Sequence, residues 1–266
     1  MAPCRVTRRE LLKVGGVCLT ASALGLELSA ATTEPIIGVI APSNTRPLPD
    51  EARMMYPTGV KFMQTGLGLA TLTPAGYDAA IPKVANAAKE LRDKGVQGIA
   101  LMGTSLTFYK GAEVNRNLEQ SMRDATGLPC ITMSTAIVEG LKAVKGTHVA
   151  VATAYTEEVN RRLAVFLTES GFQVESLKGL GLEKVGDPEK VTNDQLMALC
   201  GDACRSAPHA DALLISCGGL VTLGIHVALE KQYKLPVVSS TPAFFWAAVR
   251  MMGLSGRAPG LGKLLE

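Results

Sequence analysis

The chain has 266 residues, 47% hydrophobic and 19% charged, with a net charge of +3. That is enough for a sizeable core in one or two domains, and the composition excludes a disordered chain. No Lys/Arg block or basic stripe lies beyond the N-terminus, so nothing points to nucleic acid as a partner.

The first thirty residues stand apart. "TRRELLK" (Thr7 to Lys13) pairs two arginines with apolar residues, "VGGVCLTASALGLELSA" follows, and the small residues Ser29 to Ala31 offer a cleavage point. This reads as a twin-arginine export signal over residues 1–31, which predicts a periplasmic protein. The stretch is short for a membrane span and is interrupted by Glu27, so no stable span is expected after cleavage. It carries four basic residues and two glutamates, a net +2, which leaves the remainder near +1.

"IIGVIAP" (Ile36 to Pro42) reads as a buried strand, and Tyr77 to Gly95 as a helix closing on glycine. Val96 to Ser105 is the next strand, Asn115 to Gly127 a helix, Leu128 to Thr135 a strand, and Ala136 to Gly146 a helix. Thr147 to Tyr155 is a strand, and Thr156 to Gly171 a helix with a threonine N-cap and an acidic first turn. A helix through Asn193 to Ser206, a strand over Asp211 to Gly219, and a helix near Ile225 to Tyr233 follow. A strand over Leu235 to Thr241 and a last helix through Met252 complete the pattern. Such alternation predicts parallel sheets flanked by helices.

An internal repeat runs through these elements. "LPCITMSTA" (Leu128 to Ala136) matches "LPVVSSTPA" (Leu235 to Ala243), and "IALMGTSL" (Ile99 to Leu106) matches "LLISCGGL" (Leu213 to Leu220). The expected architecture is α/β, with two pseudo-symmetric lobes and an active site in the cleft between them. The first lobe spans residues 35–143 plus 242–266, and the second residues 144–241. Ligands bind beyond the carboxyl ends of parallel strands, which here carry Pro42, Gly103-Thr104-Ser105, Tyr155 and Cys217-Gly218-Gly219.

Those residues suggest a chemistry. Glycines allow close backbone approach, and hydroxyls, a phenol and N–H groups suit a carboxylate or an enolate. A thiol among them can pass a proton to carbon. A buried cysteine merely ending a strand is the simpler alternative. Cys130, Cys200 and Cys204 also lie beyond the leader; the last two sit four apart on a helix, where packing is expected rather than a disulfide. No metal-ligand spacing and no nucleotide-binding glycine motif occurs, so no cofactor and no metal are expected.

"GLGLATLTPAGYD", "LMGTSLTFYKG", "TGLPCITMSTA", "VATAYTEEVNRRLAVFL", "SCGGLVTL" and "PVVSSTPAFFW", in this order, resemble the arylmalonate decarboxylase family of the aspartate/glutamate racemase superfamily. The resemblance implies cofactor-free decarboxylation of a disubstituted malonate, a small dicarboxylate. It implies a carboxylate pocket from Thr104, Ser105, Tyr155 and the backbone at Cys217 and Gly218. An apolar pocket would come from Leu69, Leu72 and Val185, with Pro42, Gly103 and Gly219 at the strand ends. Cys217 would protonate the enediolate from one face. Racemases and isomerases of the superfamily use two cysteines, and Gly103 stands where the first half would carry its own. Pro188 replaces an expected methionine, and Leu72 is bulkier than the expected valine. A cysteine-dependent racemase or maleate-type isomerase, or an exported carboxylate-binding protein without turnover, remain as alternatives. A monomer is compatible with the sequence, which does not fix the oligomeric state.

Overall fold

The computed structural model describes residues 34–266, and the expected export signal lies outside them. Two four-stranded parallel sheets carry the chain. The first is ordered β2-β1-β3-β4 from β1 (Ile36–Ala41), β2 (Lys61–Gly66), β3 (Gly98–Leu101) and β4 (Cys130–Thr132). The second is ordered β6-β5-β7-β8 from β5 (His148–Thr153), β6 (Gln173–Gly179), β7 (Ala212–Ser216) and β8 (Val237–Ser239). The same order in each sheet is the repeat seen in the sequence, expressed as topology. β1, β3, β5 and β7 are the inner strands and are almost wholly buried, which is why they read as continuous apolar runs.

The helices lie where apolar spacing places them, with local chemistry setting their ends. The helix expected over Tyr77 to Gly95 is three pieces: α2 (Pro74–Ala80), a 3₁₀ turn (Ile81–Lys83) and α3 (Val84–Asp93). Pro82, lacking an N–H, interrupts the ladder, and Thr73 starts α2 earlier by accepting from the Gly76 N–H at 3.4 Å. Between β1 and β2 lies the short helix α1 (Glu51–Met55). Strand β3 stops at Leu101 because the chain turns at Gly103 into α4 (Thr104–Phe108). α5 (Ala112–Thr126) ends on left-handed Gly127.

β4 is also shorter than expected, because Thr132 caps α6 (Met133–Ala143) by accepting from the Thr135 N–H at 3.1 Å. α7 (Glu157–Glu169) has Thr156 at its N-cap position, although that side chain makes no cap bond. α8 (Asn193–Arg205) opens with a capping box between Thr192 and Gln195. It buries Cys200 and Cys204 as free thiols. α9 (His226–Tyr233) precedes β8, and α10 (Ser240–Met251) packs on α6, β3 and β4 as well as β8.

The sequence pattern does not reveal β2 and β6. Both are edge strands, half-buried and mixed in polarity, so neither shows an apolar run. Among the described residues, no helix is long and apolar enough to cross a membrane.

Candidate active site

One cavity of about 110 Å³ opens at the carboxyl ends of β1, β3, β5 and β7. Its volume is of the same order as the roughly 150 Å³ that admits a benzene ring. Thr104, Ser105, Tyr155, Cys217 and Gly218 all line it. So do Pro42, Leu69, Leu72, Gly103, Val185 and Gly219, so every residue singled out from the sequence faces one space.

The two strand exits are built alike. Gly103 follows β3 with φ +121°, and Cys217 follows β7 with φ +157°, so a positive φ occurs at both strand exits. Each exit aims its next residues into the cavity, but only the second carries a thiol. Gly218 lies close under Met133: a Cβ there would sit 3.1 Å from its sulfur and would push that flexible side chain by a few tenths of an ångström.

Cys217 is 6% exposed. Burial pushes its thiol up to about 11, against donors that favour the thiolate from the Gly219 N–H, the Tyr155 hydroxyl and the Leu220 N–H. The sulfur is therefore a thiol at neutral pH, with partners in place for the anion left after it gives up a proton. Tyr155 is fully buried, and burial raises its phenol well above the ordinary value. Tyr77 is also raised by burial and donates to Ser105 Oγ at 2.7 Å. Both phenols are neutral hydrogen-bond donors.

One expected donor is engaged elsewhere. The Cys217 N–H donates to Ser240 Oγ at 3.1 Å rather than standing free for a carboxylate. The Thr104 hydroxyl also reaches Ser240 Oγ, at 2.9 Å, with the Met133 sulfur at 3.0 Å as a competing acceptor for its single hydrogen.

The mouth of the cavity left no pattern in the sequence. Arg46, in the loop after β1, forms an ion pair with Glu189, in the loop after β6, and both line the cavity. The Leu72 N–H donates to the Glu183 carbonyl at 2.8 Å, and Thr71 bridges Lys184. Loops of the first half thus grip the 183–189 loop of the second. Pro188 lines the cavity against Gly219, where an added Cβ would lie 3.1 Å away. Nothing local in "SNTRPLPDE" or "EKVGDPEK" signals this pairing, since the partners lie 143 residues apart. Among the described residues, no three His, Cys, Asp or Glu side chains cluster as a metal site.

Comparison with known proteins agrees with this geometry. A family profile described as "Arylmalonate decarboxylase" matches residues 37–265. The arylmalonate decarboxylase of Bordetella bronchiseptica is 45% identical over 233 residues, covering 87% of this chain and 97% of the relative. The maleate isomerase of Nocardia farcinica is 25% identical over 242 residues, covering 86% of this chain and 95% of the relative. A crystal structure of arylmalonate decarboxylase superposes with a TM-score of 0.79 at 44% identity, covering 87% of this chain and 99% of that one. A doubly substituted variant of that enzyme in its liganded form reaches 0.85, with the same identity and coverage. With the profile spanning nearly all of the described chain and the relative matched almost end to end, this chain belongs to the arylmalonate decarboxylase family.

Proposed function

We propose that the protein is a cofactor-independent carboxy-lyase that decarboxylates α-aryl or α-alkenyl malonates and protonates the product on one face. The observation that carries this reading is the lone cavity thiol, held protonated by burial, with Gly103 at the mirror position. Family membership supports the reaction class.

The steps follow from the lining. One carboxylate of the malonate accepts hydrogen bonds from Thr104, Ser105, Tyr155 and the backbone at Gly218. The other lies against Leu69, Leu72 and Val185, out of water. Its carbon–carbon bond breaks, carbon dioxide leaves, and the electron pair moves into the retained carboxylate as an enediolate. The same donors stabilise that charge as it grows. Cys217 gives its proton to carbon, and the thiolate, held by the Gly219 N–H, recovers a proton from water. A two-base racemase needs a second acid on the opposite face, and Gly103 supplies none. A binding protein has no use for a proton-bearing thiol in a carboxylate pocket.

Export through the twin-arginine pathway, on the strength of Thr7 to Lys13, remains part of the proposal. Fractionation of source cells carrying Arg8→Lys/Arg9→Lys tests it, and unchanged periplasmic recovery refutes it. The reaction is tested with a panel of purified aryl, alkenyl and alkyl malonates and detection of carbon dioxide. Release from aryl or alkenyl members supports the reading, and tight binding without release refutes it.

A further inference from the structure

We propose that Ser240 is a positioning residue for the proton transfer, fixing the direction of the Cys217 thiol through the Cys217 backbone amide. This rests on the decarboxylase reading above.

Ser240 opens α10 directly after β8, and β8 pairs with β7 through Ile215 and Ser239. Its hydroxyl therefore sits beside the exit of the strand that ends at Cys217. It is 1% exposed. Its oxygen accepts from the Cys217 N–H at 3.1 Å and from the Thr104 hydroxyl at 2.9 Å. One oxygen thus ties the thiol's own peptide, in the second half, to a carboxylate-pocket hydroxyl in the first.

The repeat supplies an independent observation. Aligning "LPCITMSTA" with "LPVVSSTPA" puts Met133 at the mirror position of Ser240. Met133 offers a thioether, a weak acceptor. The half with the thiol has a hydroxyl beneath its strand exit, and the half with Gly103 has none at that place. The two asymmetries run together, as a support for the thiol requires.

The physical consequence follows from the amide. A buried N–H without a partner is costly, so it does not stay unpaired. Without Ser240 Oγ, the Cys217 peptide turns toward another acceptor, and the Cα–Cβ bond turns with it. The sulfur then leaves the line to the enediolate carbon. Ser105 and Tyr155 make no bond to Ser240 and still hold the substrate, and the Thr104 hydroxyl, freed from Ser240, keeps the Met133 sulfur as its acceptor. Loss of Ser240 is therefore expected in turnover and in stereochemistry rather than in binding.

The test compares wild type with Ser240→Ala, Ser240→Cys and Ser240→Thr on an aryl malonate. Ser240→Ala is expected to lower kcat about 10- to 100-fold, the scale of a misplacement near 1 Å. KM should move less than about threefold, and the product should lose optical purity. Ser240→Cys, of similar volume but a weak acceptor, should behave likewise and serves if the alanine variant fails to fold. Ser240→Thr, which keeps the hydroxyl, should recover most of kcat. A variant with an unchanged thermal transition that keeps wild-type kcat and optical purity overturns the proposal, as does a Ser240→Thr variant as impaired as Ser240→Ala. Wild type inactive on every malonate would defeat the decarboxylase reading instead. Positioning is then read from iodoacetamide alkylation of Cys217, mapped by mass spectrometry. Ser240→Ala should change that rate by at least about fivefold, and an unchanged rate overturns the proposal.

Discussion

The protonation state of Cys217 can be measured without any substrate. Only the thiolate reacts with iodoacetamide, so the alkylation rate across pH reads the thiol's titration. An unperturbed cysteine near 8.5 is about one quarter thiolate at pH 8. Cys217, pushed up to about 11 by burial, is thiolate to only about 0.1% at that pH, a deficit of roughly 200-fold. The assay is pulsed alkylation from pH 7 to pH 11.5, with peptide mapping to separate Cys217 from Cys130, Cys200 and Cys204. Those three thiols are also raised by burial, to about 11, 12 and 11. The rate at Cys217 should climb tenfold per pH unit through pH 10 with no plateau. In parallel, kcat should survive to pH 10, because the donor is still a thiol. A plateau at pH 8 to 9, with kcat falling over the same range, would refute the claim that burial keeps the sulfur protonated.

Gly103→Cys should place a second thiol opposite the first. A Cβ at Gly103 would lie 3.3 Å from Leu106 Cβ and Pro42 Cγ, so the site accommodates it with shifts of a few tenths of an ångström. The φ of +121° adds a cost of about 1–3 kcal/mol to stability. Chiral chromatography should detect racemisation of a 2-arylpropionate, and unchanged optical purity in a folded, active variant counts against the one-thiol argument. Glu51 is buried and accepts from the Thr222 and Leu223 N–H groups, both at 3.0 Å. Glu51→Ala leaves two buried donors unpaired and should cost about 2–4 kcal/mol in urea unfolding; a loss under about 0.5 kcal/mol would contradict this. His226 is buried, with its imidazole lowered to about 4. The unfolded chain binds that proton more readily, so stability should fall as pH drops from 6.5 towards 4, by up to about 3 kcal/mol. Buried Glu51, raised by burial, titrates with the opposite sign, so the measurement is the difference between wild type and His226→Gln across that range. Identical pH slopes would refute the assignment.

The sequence made the site's floor legible because it is built from strand exits. Glycine and cysteine directly after an apolar run mark where β3 and β7 stop, and the repeat pairs Gly103 with Cys217 without any coordinates. The family resemblance added Leu69, Leu72 and Val185, only the first two of them within the matching blocks. The roof was not legible. Arg46 and Glu189 meet only because two long loops fold back over the same strand ends, and nothing in either loop names the other. Ser240 lay in plain view as the partner of Met133 in the repeat. No pattern, however, says that its oxygen faces the Cys217 amide. β2 and β6 were missed for a different reason: they are only half-buried and mixed in polarity, so their side chains leave no period, whereas the fully buried edge strands β4 and β8 do read as apolar.

Whether a single thiol finishes the decarboxylation is decided by giving methyl(phenyl)malonate to wild type and to Cys217→Ala, following carbon dioxide and product handedness together. Wild type should release one carbon dioxide per product and form one enantiomer. Cys217→Ala should lose turnover by a factor on the order of 10²–10⁴. A Cys217→Ala enzyme that keeps wild-type rate and optical purity would contradict the account.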